Sequence, residues 1–504
     1  MYRPVIRRRL ALFFVRAIAF CSLFLVGLGK TAPVEPLFAV VDLAVGEKQA
    51  IELPGGLKVQ VRLLGVEEKR DTLRGAVRSA WVTVEINGLR VKLPSAMYTL
   101  PRTVGDVQVD CPITRGLVSN SSKRNVWALE KDARLRLWPA GSPWIRPGTF
   151  RCPVKQRWFA SDTQMANEPC FVDAGDTPGQ KEVYYHYGLD FGGAEGLVEV
   201  VAATGGTVVS RAGKLLPGEY PPQVKPRGDV VYIKDERGWF YRYSHLKEID
   251  SRLKLGGSVQ IGQRIGLLGK EGASGGWSHL HFDVTMPQPS GKWGITDAYA
   301  FAFQAYCEQY RPQLIAVARP HHVAWAGEEV TLDGRRSWHA RGKDRIRAYT
   351  WILSDGRRVQ GPTVTCRYRK PGHYSEVLKV VDDSGACSYD VVVVEVFDRK
   401  EPLPRPPTIH AVFFPTMGIR TGDRLTFKVR TFAVRPDEGW ETWDFGDGSP
   451  VVRTRSDGNA DPHAPDGYAV THHRYKKPGD YLVRVSRTDD RGRTATARLW
   501  VRVR

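Results

Sequence analysis

Along much of the chain, apolar and polar residues alternate with a period of two. Leu57-Lys-Val-Gln-Val-Arg-Leu-Leu and Trp81-Val-Thr-Val-Glu-Ile each turn one apolar face inward and one polar face out, the pattern of half-buried strands. Asn87-Gly88 separates the second run from Leu89-Arg-Val-Lys-Leu. Both central residues of a two-residue type I′ turn need positive φ, so this dipeptide predicts a hairpin. A small accessory β domain is therefore expected over residues 35–117. Residues 118–183 keep no steady period and predict a loop-rich lead-in. Its Trp127, Trp138, Trp144 and Trp158 suit the lining of a glycan or peptide groove and the plugging of a core equally well. Helical texture is confined to Trp293–Tyr310, which ends at Arg311-Pro312.

Beyond that point one pattern occurs twice. Trp351-Ile-Leu-Ser-Asp-Gly356, Tyr368-Arg-Lys-Pro-Gly-His-Tyr374 and Val381-Asp-Asp-Ser-Gly385 are followed by Trp443-Asp-Phe-Gly-Asp-Gly448, Tyr475-Lys-Lys-Pro-Gly-Asp-Tyr481 and Thr488-Asp-Asp-Arg-Gly492. Asp-Gly and Pro-Gly punctuate the strand pairs in both copies. The copies predict two β modules, over 315–398 and 407–504, divided by the proline-rich linker Arg399 to Pro407. His472 and His473 lie near Asp444 and Asp447 in the second copy. Adjacent strand residues face opposite ways and turn aspartates cap backbone N–H groups, so no metal is expected there.

Composition supports a mostly β, multidomain chain. A length of 504 residues implies three or four domains, and 50 glycines with 33 prolines fit many short strands and turns. Arg3, Arg7, Arg8, Arg9 and Arg16 precede the apolar run Ala17 to Leu28. This reads as an export signal over 1–29, cleaved after Gly29, with an uncleaved anchor as the alternative and the only expected membrane contact. Cys21 follows Phe20, which argues against acylation at that cysteine. The other six cysteines allow disulfides in an exported chain, with Cys366 and Cys387 able to pair inside one module. Cys111, Cys152, Cys170 and Cys307 leave three pairings open, and no C-x-x-C spacing supports zinc thiolates. The net charge of +20 favours anionic polymers such as cell-wall glycans. Basic residues are spread rather than clustered and no nucleic-acid motif is present, which excludes specific nucleic-acid binding; most arginines are expected on solvated faces.

Chemistry gathers between Tyr185 and Val284. The chain has twelve histidines, and four of them fall in three short motifs there: His186-Tyr-Gly-Leu-Asp190, Tyr243-Ser-His245-Leu and Ser278-His-Leu-His-Phe-Asp-Val284. On a strand, His279 and His281 share a face while Leu280 takes the other. His186, Asp190 and His281 could supply three zinc ligands and leave a fourth position for water. No H-E-x-x-H helix offers a glutamate base, so proton transfer must fall elsewhere, and the intrinsic pKa of the histidines His245 and His279 suits it. Tyr243 is a weaker candidate for oxyanion donor if its strand runs regularly into His245.

These motifs, with Val201-Ala-Ala-Thr-Gly-Gly-Thr-Val-Val and Gly262-Gln-Arg-Ile-Gly266, resemble the lysostaphin/LytM-type zinc peptidases, the murein endopeptidase family, over about a hundred residues. The resemblance implies an antiparallel β peptidase core over 184–311, one Zn²⁺ on His186, Asp190 and His281, and His245 and His279 as the catalytic histidines. Two departures flank the groove: Ser278 stands where the family usually has proline, and the loop from Gly213 to Gly228 is long and proline-rich. The C-terminal copies resemble the PKD domain, an immunoglobulin-like β-sandwich, the first copy being degenerate at its Trp-Asp-Phe-Gly-Asp-Gly motif. That resemblance implies spacer or adhesion modules with a protein or glycan ligand. Together these imply an exported zinc endopeptidase of the periplasm, envelope or exterior that cuts peptidoglycan cross-links or stem peptides. The alternatives are a non-hydrolytic peptidoglycan-binding or regulatory protein on the same fold, and an endopeptidase for extracellular proteins.

Overall fold

The computed structural model describes residues 36–119, 125–170, 183–219 and 223–504. The expected export signal lies outside them. Among the described residues no helix is long and apolar enough to cross a membrane.

The N-terminal sheet runs in the order Ala39–Leu43, Ala133–Pro139, Val107–Thr114, Leu89–Ser95, Val77–Ile86, Lys58–Arg70 and Lys48–Glu52. In Lys58–Arg70 the alternation predicted from sequence is visible: Val59, Val61 and Leu63 are buried while Lys58, Gln60 and Arg62 are exposed. The Asn87-Gly88 hairpin forms with both residues at positive φ, 49° and 83°. The sheet does not end at residue 117. Ala133–Pro139, from the stretch expected to be loop-rich, pairs with both Ala39–Leu43 and Val107–Thr114. Its polar positions disguised it, because Arg134 and Arg136 are about 1% exposed and make two-pronged pairs with Asp42 and Asp110. Arg319, Arg430 and Arg487 are likewise among the largest fully buried side chains, so part of the basic surplus is internal and not on solvated faces.

The middle of the chain forms a sheet ordered Leu189–Gly192, His279–Pro287, Phe240–Ser244, Val231–Lys234, Gly206–Arg211 and Lys214–Leu215. Beside it lies a three-stranded sheet of Glu199–Val201, Arg264–Leu268 and Leu246–Ile249. His279–Pro287 is central, with partners on both edges. The expected helix is shorter than its texture. Trp293–Thr296 is a strand that closes a hairpin onto Val284–Pro287, and the helix is Tyr299–Tyr310. Asp297 accepts the Tyr299 N–H at 2.8 Å where the chain changes character. Trp127, Trp138 and Trp158 are 0–5% exposed and belong to the core shared with Phe191, Phe282 and Phe301; Trp144 packs against it. These tryptophans plug a core and do not line a groove.

Each C-terminal copy is a β-sandwich centred on a fully buried tryptophan, Trp351 in one and Trp443 in the other. The repeated Tyr-x-x-Pro-Gly-x-Tyr segment does the same work twice: Tyr374 donates to Lys370 O and Tyr481 to Lys477 O, both at 2.8 Å. Gly372–Asp382 of the first copy pairs in parallel with Thr494–Val503 of the second, so one nine-stranded sheet runs through both. The cysteines Cys111, Cys152, Cys307, Cys366 and Cys387 are all free. Cys366 and Cys387 do not pair: Cys366 sits on Thr363–Arg367 in the small sheet, while the Cys387 thiol reaches Asp480 of the second copy.

Candidate metal centre

His279, His281 and Asp283 lie on one face of His279–Pro287, while Leu280 and Phe282 fill the core on the other at 0% exposure. Leu189–Gly192 sits alongside with Asp190 opposite His281 and Gly192 opposite His279. His186 reaches the same face because the chain crosses tightly at Gly188, whose φ is 95° and where a Cβ would stand 2.6 Å from Phe282 O. The His186 N–H is anchored on Glu168 O at 3.0 Å. His245 follows Phe240–Ser244 with φ 67°, its N–H held by Asp229 Oδ2 at 3.0 Å. The five side chains thus meet in one place, and each residue is 3–7% exposed. Ser161 and Thr163 of the lead-in pack directly on Gly192, where no side chain would fit.

Three atoms converge. His186 Nε2 lies 2.9 Å from His281 Nδ1 and 3.1 Å from Asp190 Oδ1, and the last two are 2.9 Å apart. Ligand atoms around tetrahedral zinc with ~2.0 Å bonds stand roughly 3.3 Å from one another, so the cluster is close to the size of one face of a zinc tetrahedron. These three residues form a buried group able to hold a metal ion. The second imidazole nitrogen of His281 meets Asp283 Oδ2 at 3.0 Å, which leaves Nδ1 as the lone pair facing the cluster. Asp283 is paired in turn with Arg242 at 3.3 Å. His186 Nδ1 has no hydrogen-bond partner among the described residues.

His245 and His279 stand beside this cluster with ring centroids 4.7 Å apart. His245 Nδ1 meets the Glu271 carbonyl at 2.7 Å, and His279 Nδ1 meets the Trp277 carbonyl at 3.0 Å. A carbonyl only accepts, so both rings carry their proton on Nδ1 and present a bare Nε2. Burial pushes His279 down to about 3, although Asp190 pulls the other way. Burial also lowers His245, partly countered by Asp229. Both imidazoles are therefore neutral near pH 7. Burial opposes ionisation of Asp190, yet the imidazoles of His186 and His279 outweigh it and hold the carboxyl well below the usual carboxylate range.

Tyr243 is not part of the site. It is fully buried on the core side against Phe282, and its hydroxyl accepts the Ala203 N–H at 2.8 Å. The left-handed turn at His245 breaks the alternation on which its candidacy rested. Three supporting groups escaped the sequence reading: Asp283, Asp229 and Arg227, which holds Asp229 at 2.6 Å. Asp283 was signalled by its place two residues after His281; Asp229 carried no signal. His339, Asp382 and Asp383 form a second cluster. There His339 Nδ1 accepts the Arg341 N–H, Gln313 donates to Asp382 and Arg345 pairs with Asp383, so both carboxylates are already engaged by neighbours, while His339 Nε2 has no hydrogen-bond partner among the described residues. In the second sandwich Asp447 accepts from Ser449 N–H and from the His473 ring, while His472 is exposed.

Residues 184–291 match the model of peptidase family M23, and residues 312–396 and 415–501 match models of the PKD domain. The chain thus carries an M23 peptidase domain followed by two PKD domains. Among solved structures it is similar to Csd3 of Helicobacter pylori, at 18% identity over 47% of this chain and 58% of that one, with a TM-score of 0.20. It is also similar to the catalytic domain of the prophage-encoded M23 protein EnpA from Enterococcus faecalis, at 19% identity over 28% of this chain and 92% of that one, TM-score 0.20. Fibronectin(III)-like modules of Clostridium thermocellum CbhA match at 14% identity over 36% of this chain and 90% of theirs, TM-score 0.15. The chain spans little more than half the length of Csd3.

Proposed function

We propose that this chain, with its M23 peptidase domain, is an exported zinc metalloendopeptidase that hydrolyses peptide bonds of peptidoglycan. The observation that carries the reading is the convergence of His186 Nε2, Asp190 Oδ1 and His281 Nδ1 within 3.1 Å of one another, beside two neutral imidazoles. The donor set is what zinc prefers, and when bound the ion supplies a polarised carbonyl and a water whose pKa falls toward ~7. The remaining work belongs to side chains. Asp190 stays ionised and gives the cluster the negative charge that favours a cation. Asp283 fixes the tautomer of His281 so that Nδ1 faces inward. His245 and His279 offer bare Nε2 atoms, and whichever takes the proton of the attacking water then holds it on Nε2, from where it can steady the oxyanion and pass to the leaving amine, while the other ring can accept a hydrogen bond from the water and orient it. Export rests on the arginine-led apolar N-terminus, and the net charge of +20 suits an anionic wall polymer. The PKD domains are the place for a protein or glycan ligand.

The test is digestion of purified sacculi by the mature chain with and without a zinc chelator, with products read by mass spectrometry and a glycine-rich protein digested in parallel. Release of muropeptides that stops on chelation and returns with zinc supports the reading. Cleavage of the protein alone, or chelator-insensitive release, overturns it.

A further inference from the structure

The second PKD domain is docked on the turn that leads into His279. Trp277 stacks on Phe432 with ring centroids 4.1 Å apart and planes 7° from parallel. Arg430 Nη1 donates to Gly276 O and Asn459 Nδ2 to Gly275 O, both at 3.2 Å. A side chain at Gly276 would collide with Asn459 and Arg430, so the two surfaces fit closely there. The telling contact is on the backbone: Ser278 N–H donates to the Tyr468 hydroxyl at 2.9 Å. The Tyr468 hydroxyl meets His410 Nδ1 at 2.7 Å, and His410 Nε2 meets Thr163 Oγ1 at 2.7 Å.

The Ser278 N–H and the Trp277 C=O belong to one peptide group, which is planar and rigid. Tyr468 grips its N–H end. Its C=O end receives the Nδ1 proton of His279 at 3.0 Å. Rotation of that plane would carry away the acceptor that sets the ring's tautomer and aim. The proline usual at this position in the resembled family has no N–H to offer, whereas Ser278 does.

We propose that Tyr468 of the second PKD domain is a positioning residue for His279, acting through the Trp277–Ser278 peptide plane. The PKD domain is then a working part of the catalytic unit in addition to any tethering role. This inference rests on the reading of His279 as catalytic given above.

Tyr468→Phe in the full zinc-loaded chain removes one hydroxyl and keeps the ring. A misaimed base lowers turnover without touching distant binding contacts, so kcat should fall roughly 10- to 100-fold while KM stays within about twofold and zinc content is unchanged. In a His279→Ala background the same change should cost nothing further, since its route is gone. Retention of wild-type kcat, or an equal loss in the His279→Ala background, overturns the proposal. Phe432→Leu, which frees Trp277 by another route, gives the same comparison should Tyr468→Phe fold poorly. Histidine-selective ¹⁵N spectra supply a readout apart from activity: His279 should be the Nδ1–H tautomer in the wild type and a mixture in Tyr468→Phe. If the wild type cuts no murein, the proposed function fails by itself, and an unchanged His279 spectrum in Tyr468→Phe still refutes the positioning role.

Discussion

Asp283 offers the sharpest test of the metal centre, because it touches no proposed substrate atom. Its carboxylate, 3% exposed, lies 3.0 Å from His281 Nε2 and 3.3 Å from Arg242. Burial resists its charge, but His281 and Arg242 hold it ionised, with a lowered pKa. An ionised acceptor on the far nitrogen makes the ligating nitrogen more basic and fixes the ring. Loss of such a partner typically weakens metal binding 10- to 100-fold, about 1.4–2.7 kcal/mol. Asp283→Asn keeps the shape and one acceptor oxygen but loses the charge, so it should sit near the ~10-fold end of that range. Asp283→Ala removes the acceptor altogether and should approach ~100-fold, and it also takes the carboxylate partner from the partly buried guanidinium of Arg242, which lowers the thermal midpoint of the apo protein. Competition against a zinc chelator measures affinity, and thermal unfolding of the metal-free proteins separates it from folding. Two variants that fold and bind zinc as tightly as the wild type would refute the assignment of His281 Nδ1 as a ligand backed by Asp283.

Other perturbations probe different links. His281→Ala should lose both zinc and activity, whereas His245→Ala should keep zinc and lose turnover; metal analysis beside a murein assay decides, and metal loss in the second variant contradicts the division of roles. Arg136→Met should cost about 3–5 kcal/mol by leaving buried Asp110 unpaired and by breaking the 2.5 Å bond from Arg136 to Asp297 O; a denaturant midpoint within experimental error of the wild type would contradict this. Burial raises Asp162 to about 7, and neither of its carboxylate oxygens has a hydrogen-bond partner among the described residues. A raised folded pKa means that the unfolded chain gives up this proton first. Its contribution is therefore fully present below about pH 4 and is lost as pH rises toward 7, with a slope of up to ~1.4 kcal/mol per unit. Asp162→Asn should flatten that part of the stability–pH curve, and an unaltered curve would reject the buried, protonated carboxyl.

The site was legible because its parts are compact motifs: His186 to Asp190 spans a single turn of chain, and the His279, His281 and Asp283 face follows from strand alternation. Asp229 was not legible, since the strand pair Val231–Lys234 and Phe240–Ser244 puts sixteen positions between it and the His245 backbone it holds. Tyr243 was misjudged because alternation was carried one residue past the end of its strand. In the fold, Asn87-Gly88 and the Trp351 and Trp443 repeats carried strong local signals. Ala133–Pro139 was hidden by Arg134 and Arg136, whose charges are cancelled by carboxylates from strands far away in sequence. Trp293–Thr296 was absorbed into the helix that follows it, since a four-residue strand has too few positions to declare a period. No pattern in the sequence announced that the second PKD domain folds back onto the turn before His279, because such docking depends on shape and not on periodicity.

The sheet that runs unbroken through both C-terminal domains also restricts how they can serve the enzyme. Modules on a loose leash explore a wide sphere and raise the chance of meeting a distant anchor. Here the parallel bridge between His373 and Ala495 and the seat against Trp277 make a fixed bracket. Any ligand the bracket held would be presented to the His186, Asp190 and His281 cluster at one offset and one angle, as a jig presents work to a blade.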